Sequence, residues 1–338
     1  MGMGSAPECW LPVWRSHLSL LPAFVYVGER LATVGGFLLG LWPPLLAFIP
    51  RLMTEVLAVY LVCGFAFHFA RSLREIDRHW VHRIAGPALL AYRMHTRVIF
   101  AYASLAIVAI LALVLVLGRS RTAGKALVIF VLAFALCIPY LSSTCGLTHG
   151  IFCWATSGGL SLCWMASPYD RDLGEWHLPT EVLRNPRLAA NHGDFFKSIA
   201  SLSPIEQDCA LKTKALENIR NHPGKFLKNW IANVGGLVLG YPFPDRKHNM
   251  GTLLTIIPGM FVAVFSVLAA YPTCVGRHRI PGEVWILMLF GLLAFLASSV
   301  LSAYPRLLLP ILPVLITWWM VVFRRLIRIE VATSPYQP

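Results

Sequence analysis

A chain of 338 residues in which 57% are hydrophobic and only 13% are charged has too few charges to coat a water-soluble globule of that size. With a mean hydropathy of +0.64 and apolar runs near the roughly 20 residues that cross a bilayer, it reads as an all-α multi-pass membrane protein. The formal net charge of +13 does not point to nucleic acid, because the arginines lie at the ends of apolar runs rather than interleaved with aromatics on one amphipathic face; orientation among membrane lipids accounts for the basicity.

Before the first run, Met1 to Glu29 holds only a partial apolar stretch, Leu18 to Val27, without the basic start and small-residue cleavage site of a signal peptide. It reads as an interfacial helix or as the cut end of something longer. The apolar runs then follow as Leu31 to Ile49, Leu52 to Ala70, a short one from Ile84 to Tyr92, Val98 to Leu117, Ala126 to Ser142, Met250 to Tyr271, Val284 to Leu301 and Leu307 to Phe323. They predict about seven to eight membrane helices, one of them short or re-entrant. The chain divides into N-terminal membrane helices (1–143), a mostly helical polar loop (144–248) and C-terminal membrane helices (249–338).

The connections separate by charge. Arg71, Arg74, Arg78 and Arg83 share one, Arg119, Arg121 and Lys125 the next, Arg277 and Arg279 a third, and Arg324, Arg325 and Arg328 follow the last run. The positive-inside rule places all four in the cytoplasm and the large loop outside. The same threading brings Arg51, Glu55, Arg93, Arg97 and Arg306 to the outer surface. Snorkelling anchors are one reading of this set. A path for an anionic headgroup or phosphate is the other, with Arg93, Arg97 and Arg306 lining one site. Arg306, between Tyr304-Pro305 and Leu307 to Pro310, has no nearby carboxylate in sequence; Glu55 has Arg51 one helical turn before it.

Within the loop, Ser143 to Met165 is uncharged and rich in Gly, Cys and Trp, as suits chain lying in the interface. Ser203-Pro204-Ile205-Glu206 predicts a helix start, with a serine cap, proline in the first position and a glutamate reaching back. That helix runs to about Asn221, and Ile205, Cys209, Leu216 and Ile219 form its expected docking face, interrupted by Lys212. Pro223 opens a second, interfacial helix through Lys225, Phe226, Trp230 and Val234.

The sequence holds no zinc spacing among its cysteines and histidines, with His149, His177, His192 and His222 scattered, so no metal is expected. Cys145, Cys153, Cys163 and Cys209 fall outside, where a disulfide is open to them. Phosphate loops, nucleophile elbows and dinucleotide fingerprints do not occur.

Several stretches, in consistent order, resemble the GT-C membrane glycosyltransferases. They are Trp164-Met165-Ala166-Ser167-Pro168, Asp172-Leu173-Gly174-Glu175-Trp176, and Ala215 to Phe226. Gly36 to Val59 with Pro43-Pro44 and Met53-Thr54-Glu55, Ile84 to Arg97, and Pro305-Arg306-Leu307-Leu308-Leu309-Pro310 are similar to further family segments. The resemblance covers most of the chain from about residue 30 and falls on the middle and C-terminal part of the family pattern. It implies transfer of a sugar from a polyprenyl-phosphate donor, without a cofactor, to an acceptor in the cell envelope.

The family's first helix and its external loop with a catalytic aspartate are not matched before Leu31. The chain therefore reads as a fragment, or as a shortened homologue whose catalysis is lost or supplied by a partner subunit. Such a transfer needs a carboxylate to deprotonate the acceptor and cations to stabilise phosphate charge. Glu55, Asp172 and Glu175 are the candidates for the carboxylate. A non-catalytic subunit or lipid-binding scaffold is the alternative, and a transporter or flippase ranks below both, since neither mid-membrane polar residues nor an inverted repeat is visible.

Overall fold

The computed structural model describes residues 29–48, 54–74, 80–118, 120–147, 158–240, 256–301 and 305–326. Leu18 to Val27, Arg51, Arg78, Arg119, His149, Lys247, Arg328, Cys153 and the side chain of Cys145 lie outside this set. Every regular element among the described residues is helical.

Among the described residues, six stretches are long and apolar enough to cross a membrane: Thr54–Arg74, Ile99–Leu117, Arg121–Thr144, Ile256–Val275, Gly282–Val300 and Leu309–Leu326. The chain is a multi-pass membrane protein. We number its helices α1 (Glu29–Gly40), α2 (Pro43–Phe48), α3 (Thr54–Arg74), α4 (Trp80–Thr96), α5 (Ile99–Leu117), α6 (Arg121–Leu147), α7 (Gly158–Met165), α8 (Pro179–Arg184), α9 (Pro186–Ile199), α10 (Pro204–Asn221), α11 (Pro223–Leu239), α12 (Ile256–Val275), α13 (Gly282–Val300) and α14 (Leu312–Leu326).

The run from Leu31 to Ile49 is divided rather than continuous. Pro43 offers no backbone N–H and disfavours helical geometry at Trp42, so α1 stops at Gly40 and α2 begins after the turn. The short run at Ile84 to Tyr92 is the centre of the 17-residue α4, which packs along α3. A His68–His82 ring-nitrogen contact of 2.7 Å joins the two helices.

Lipid tails are as apolar as leucine, so these helices hold together by shape and close packing rather than by escape from water. One core joins α3, α4, α5, α6 and α13 around Phe65, whose ring lies 5.4 Å from Phe69, 5.8 Å from Phe130 and 5.6 Å from Phe290. A second joins α1, α12 and α14, where Phe265 packs 4.2 Å from Phe261 and 5.6 Å from Trp319. At the crossing of α11 and α12 the backbones nearly touch: a Cβ on Gly259 would stand 1.9 Å from the Val238 carbonyl.

The helix ends sort into two faces. On one, Arg74 at the end of α3 pairs with Glu283 at the start of α13 (2.6 Å), and Arg325 at the end of α14 donates to the Arg279 carbonyl (3.1 Å). On the other, the start of α3, the end of α4 and the turn before α14 meet the polar region at α7, α10 and α11.

Proline sits at the first turn of α8, α9, α10 and α11, where its missing N–H is not needed. The expected capping box is present: Ser203 Oγ accepts from the Glu206 N–H (3.4 Å) and the Ser203 N–H donates to Glu206 Oε2 (2.9 Å). The docking face of α10 differs from the expected one. Asp208, Leu211, Ala215 and Asn218 are buried, whereas Cys209 and Leu216 are exposed. Close approach to α7 favours the small Ala215 and the polar Asp208, whose Oδ1 takes the Gly159 N–H at 2.6 Å. Cys163 and Cys209 are free thiols.

Candidate functional site

A cavity of about 540 Å³ opens between the membrane helices and the polar helices. Thr54 opens α3, Thr96 closes α4 and Arg97 follows it, Tyr102 comes from α5, Ser161 from α7, Lys212 from α10, and Trp176 and Arg306 from the connections before α8 and α14. Three cations therefore face one space, and no aspartate or glutamate is among the described lining residues.

Behind the lining lies Glu55, 1% exposed in the first turn of α3, where the helix dipole favours negative charge. Its Oε1 pairs with Arg97 Nη2 and lies 3.5 Å from Arg306 Nε, while Thr54 Oγ donates to Oε2 at 3.4 Å. Arg97 Nη2 also donates to Thr54 Oγ at 3.3 Å. The carboxylate thus sits between two guanidinium groups that remain 27% and 35% exposed toward the cavity. Arg306, which has no nearby carboxylate in sequence, has one in space.

Arg93 is not brought to the cavity with the other two. It is 1% exposed, its guanidinium carbon lies 3.7 Å from the Phe100 ring centroid, and Nη1 donates to Thr96 Oγ at 2.9 Å. The guanidinium is held by a cation–π contact and one hydrogen bond. Its Nε and Nη2 have no hydrogen-bond partner among the described residues.

Lys212, which sequence reading took for an interruption of an apolar face, is a cavity residue. Asp208 Oδ2 receives its ammonium at 2.6 Å and, against the opposing effect of burial, holds its pKa above the ordinary lysine value. Asp208 thereby joins α10 to the start of α7 and aims Lys212. Asn233 also escaped the sequence reading. Its Nδ2 donates to the carbonyls of Ser299 and Leu301 (both 2.6 Å), and Trp230 Nε1 donates to Ser299 Oγ (2.9 Å). Together they tie the end of α13, just upstream of Arg306, to α11. A buried asparagine in the apolar second half of α11 is the signal that marks it.

Asp172 and Glu175 do not line the cavity. Asp172 is buried, and its Oδ2 accepts from Ser167 Oγ (2.6 Å) and contacts His192 Nε2 (2.8 Å), with Arg187 3.7 Å from Oδ1. Its backbone carbonyl accepts from Lys225 Nζ (2.5 Å), which also donates to Asn229 Oδ1 (2.5 Å). Asn229 Nδ2 in turn donates to the carbonyls of Met165 and Ser167, each at 3.0 Å. Burial raises the Asp172 pKa, but the His192 and Ser167 hydrogen bonds and the nearby His192 and Arg187 charges outweigh it and hold it below the ordinary aspartate value. This carboxylate is the hub of the polar region. Glu175 is half-buried beside Trp176.

A second cavity, of about 560 Å³, lies between α11, α12, α13 and α14. Its described lining residues, including Val262, Met288, Phe295 and Trp318, carry no titratable group. Leu307 lines the polar cavity and Leu308 the apolar one, so the turn carrying Arg306 stands between them.

Among the described residues no cluster of three or more His, Cys, Asp or Glu is placed to hold a metal ion. No family model, curated protein or solved structure matches the chain. Fold and site together define a multi-pass membrane protein with a cationic cavity at one face of its helix bundle.

Proposed function

We propose that the chain is a GT-C-like membrane glycosyltransferase, or a portion of one, that moves a sugar from a polyprenyl-phosphate donor to an envelope acceptor at the outer membrane face. The observation that carries this reading is the convergence of Arg97, Arg306 and Lys212, from sequence-distant elements, on one cavity at the edge of the apolar bundle. Guanidinium forks and an ammonium suit a phosphate. Tyr102 and Trp176 supply aromatic wall for a sugar ring, and the apolar cavity beyond Leu307 suits a prenyl chain.

On this reading the arginine-rich face, with Arg74, Arg121, Arg279 and Arg325, is cytoplasmic, and α7 to α11 lie outside a bacterial cytoplasmic membrane. We take α1 and α4 as the short members that complete a set of seven to eight membrane helices. In a cysteine-free background, an impermeant thiol reagent applied to intact cells is expected to label Lys214→Cys and spare Arg121→Cys. The reverse pattern would overturn the threading.

One observation favours the second reading, a non-catalytic subunit or lipid-binding scaffold. Glu55 is engaged by two arginines and Asp172 by Ser167 and His192, so neither is poised to take a proton from an acceptor. A partner subunit bringing a base would reconcile the two readings.

Both need the phosphate site, and Arg306→Lys tests it. Lysine keeps the charge and snorkels equally well but loses the planar fork. Binding of a short-chain polyprenyl phosphate is expected to weaken by about tenfold, with membrane insertion and thermal stability unchanged. Unaltered binding in that variant would sink the proposal.

A further inference from the structure

The hydrogen-bonding groups around the polar cavity are lopsided. The side chains of Arg97, Arg306, Lys212 and Trp176 can only donate, the lining hydroxyls donate and accept alike, and no side chain among the described lining residues is a pure acceptor. The cations form two poles with separate mountings. Arg97 and Arg306 share the carboxylate of Glu55 on the wall made by the membrane helices. Lys212 has its own carboxylate, Asp208, on the wall made by α7 and α10. Asp208 also holds the Gly159 N–H at 2.6 Å, and a Cβ on Gly159 would stand 2.7 Å from the same Oδ1, so this carboxylate is clamped between two helices. It stays buried at 6% exposure while Lys212, at 50%, reaches out past it. One of the three ammonium N–H groups serves Asp208, and two remain for a ligand. From the facing wall Tyr102, on α5, lies within electrostatic reach of Lys212.

We infer that the sugar carried on the lipid phosphate is itself acidic, so that the cavity takes two anions at once: the phosphate at Arg97 and Arg306, and a carboxylate of the sugar at Lys212. A neutral sugar brings hydroxyls that seek acceptors as well as donors, and the lining offers few of the former. A carboxylate only accepts, which suits donors on both walls, and it gains Coulomb attraction from the ammonium that a hydroxyl does not. Arg93, a layer behind at Phe100, lies within electrostatic reach of Arg97 and Glu55 and adds positive charge without lining the space, so it too favours a second anion. Both poles line one space, which places the second anion on the group that the phosphate itself carries. The inference rests on the lipid-phosphate reading above and refines the part of Lys212 in it. Lys212 is then a specificity determinant, and Asp208 the residue that positions it.

The test uses farnesyl phosphoglucuronate and its 6-amide, two lipids of one shape that differ in a single charge, in detergent at neutral pH. The native chain is expected to bind the acid about tenfold more tightly than the amide, the size of effect one charge-assisted hydrogen bond has. In Lys212→Met the two affinities should converge, and Lys212→Arg, which keeps the charge, should restore most of the difference. Equal affinities in the native chain, or an unchanged preference in Lys212→Met, would overturn the inference and leave the phosphate site standing. The comparison within the native chain needs no variant, and so holds even if Lys212→Met, which strands Asp208, fails to fold. Failure of both lipids and of farnesyl phosphate to bind the native chain would remove the phosphate site and this inference together. Free glucuronate that binds beside farnesyl phosphate and tightens it would place the acid on the acceptor and overturn its assignment to the carried sugar.

Discussion

Replacing Arg97 with methionine is expected to destabilise the protein by about 3 kcal/mol, because it strands a buried carboxylate. Glu55 is 1% exposed, and Arg97 is its close partner; Arg306, at 3.5 Å, compensates in part. The reverse change is milder. In Glu55→Gln the arginines that lose a counter-charge are about a third exposed and keep access to water in the cavity, so less desolvated charge is left behind. Adding Glu55→Gln to Arg97→Met should therefore recover most of the lost stability. The cycle is read from unfolding in detergent of the native chain, the two single variants and the double variant. A loss below about 1 kcal/mol for Arg97→Met, with no recovery in the double variant, would show an ordinary hydrated surface pair.

That pairing marks where sequence reasoning stops. The capping box at Ser203 and Glu206, the proline openings and the segregation of arginines were legible, because each depends on residues near in sequence or on a bulk property of the bilayer. The partners of Glu55 were not. An i,i+4 rule points back to Arg51, outside the described residues, whereas the described partners lie in α4's trailing turn and before α14, brought in by helix crossing. Arg93 and Arg97 looked equivalent because they are one turn apart. They part because α4 ends at Thr96: Arg93 remains in the helix and points under Phe100, while Arg97 lies beyond it and reaches the cavity.

The docking face of α10 failed for a related reason. Counting apolar residues favoured Leu216, which is 62% exposed, over Asp208, which is 5% exposed. A carboxylate can be buried when it caps another helix and holds a lysine, and hydrophobicity alone does not register that. The stretches around Trp164, Asp172 and Lys225 meet at the Asp172 hub, whereas those holding Thr54, Arg97 and Arg306 meet at the cavity. The former build the polar region whose Trp176 and Lys212 reach the site.

Asp172→Asn is accordingly expected to loosen that region by about 3 kcal/mol without reaching the membrane helices. The charge-assisted contacts to Ser167 and His192 are each of a kind worth about 1.5–3 kcal/mol, and an amide keeps only part of them. The native protein should also show an acid limit of its own. The Asp172 pKa is depressed in the folded state, so its contribution to stability is complete above the unfolded value near 3.9 and is lost as the pH falls through the lower folded value. Amide exchange in α9, corrected for its intrinsic pH dependence, should therefore be slow and level down to about pH 4 and quicken below it. In Asp172→Asn the same amides should exchange faster at neutral pH and show no such step, since the group that titrates is gone. Trp164 packs against His192 and Phe196, so the loosening should also expose its indole to a collisional quencher. An acid step that survives unchanged in Asp172→Asn would assign the acid limit to another group and remove Asp172 from the centre of this region.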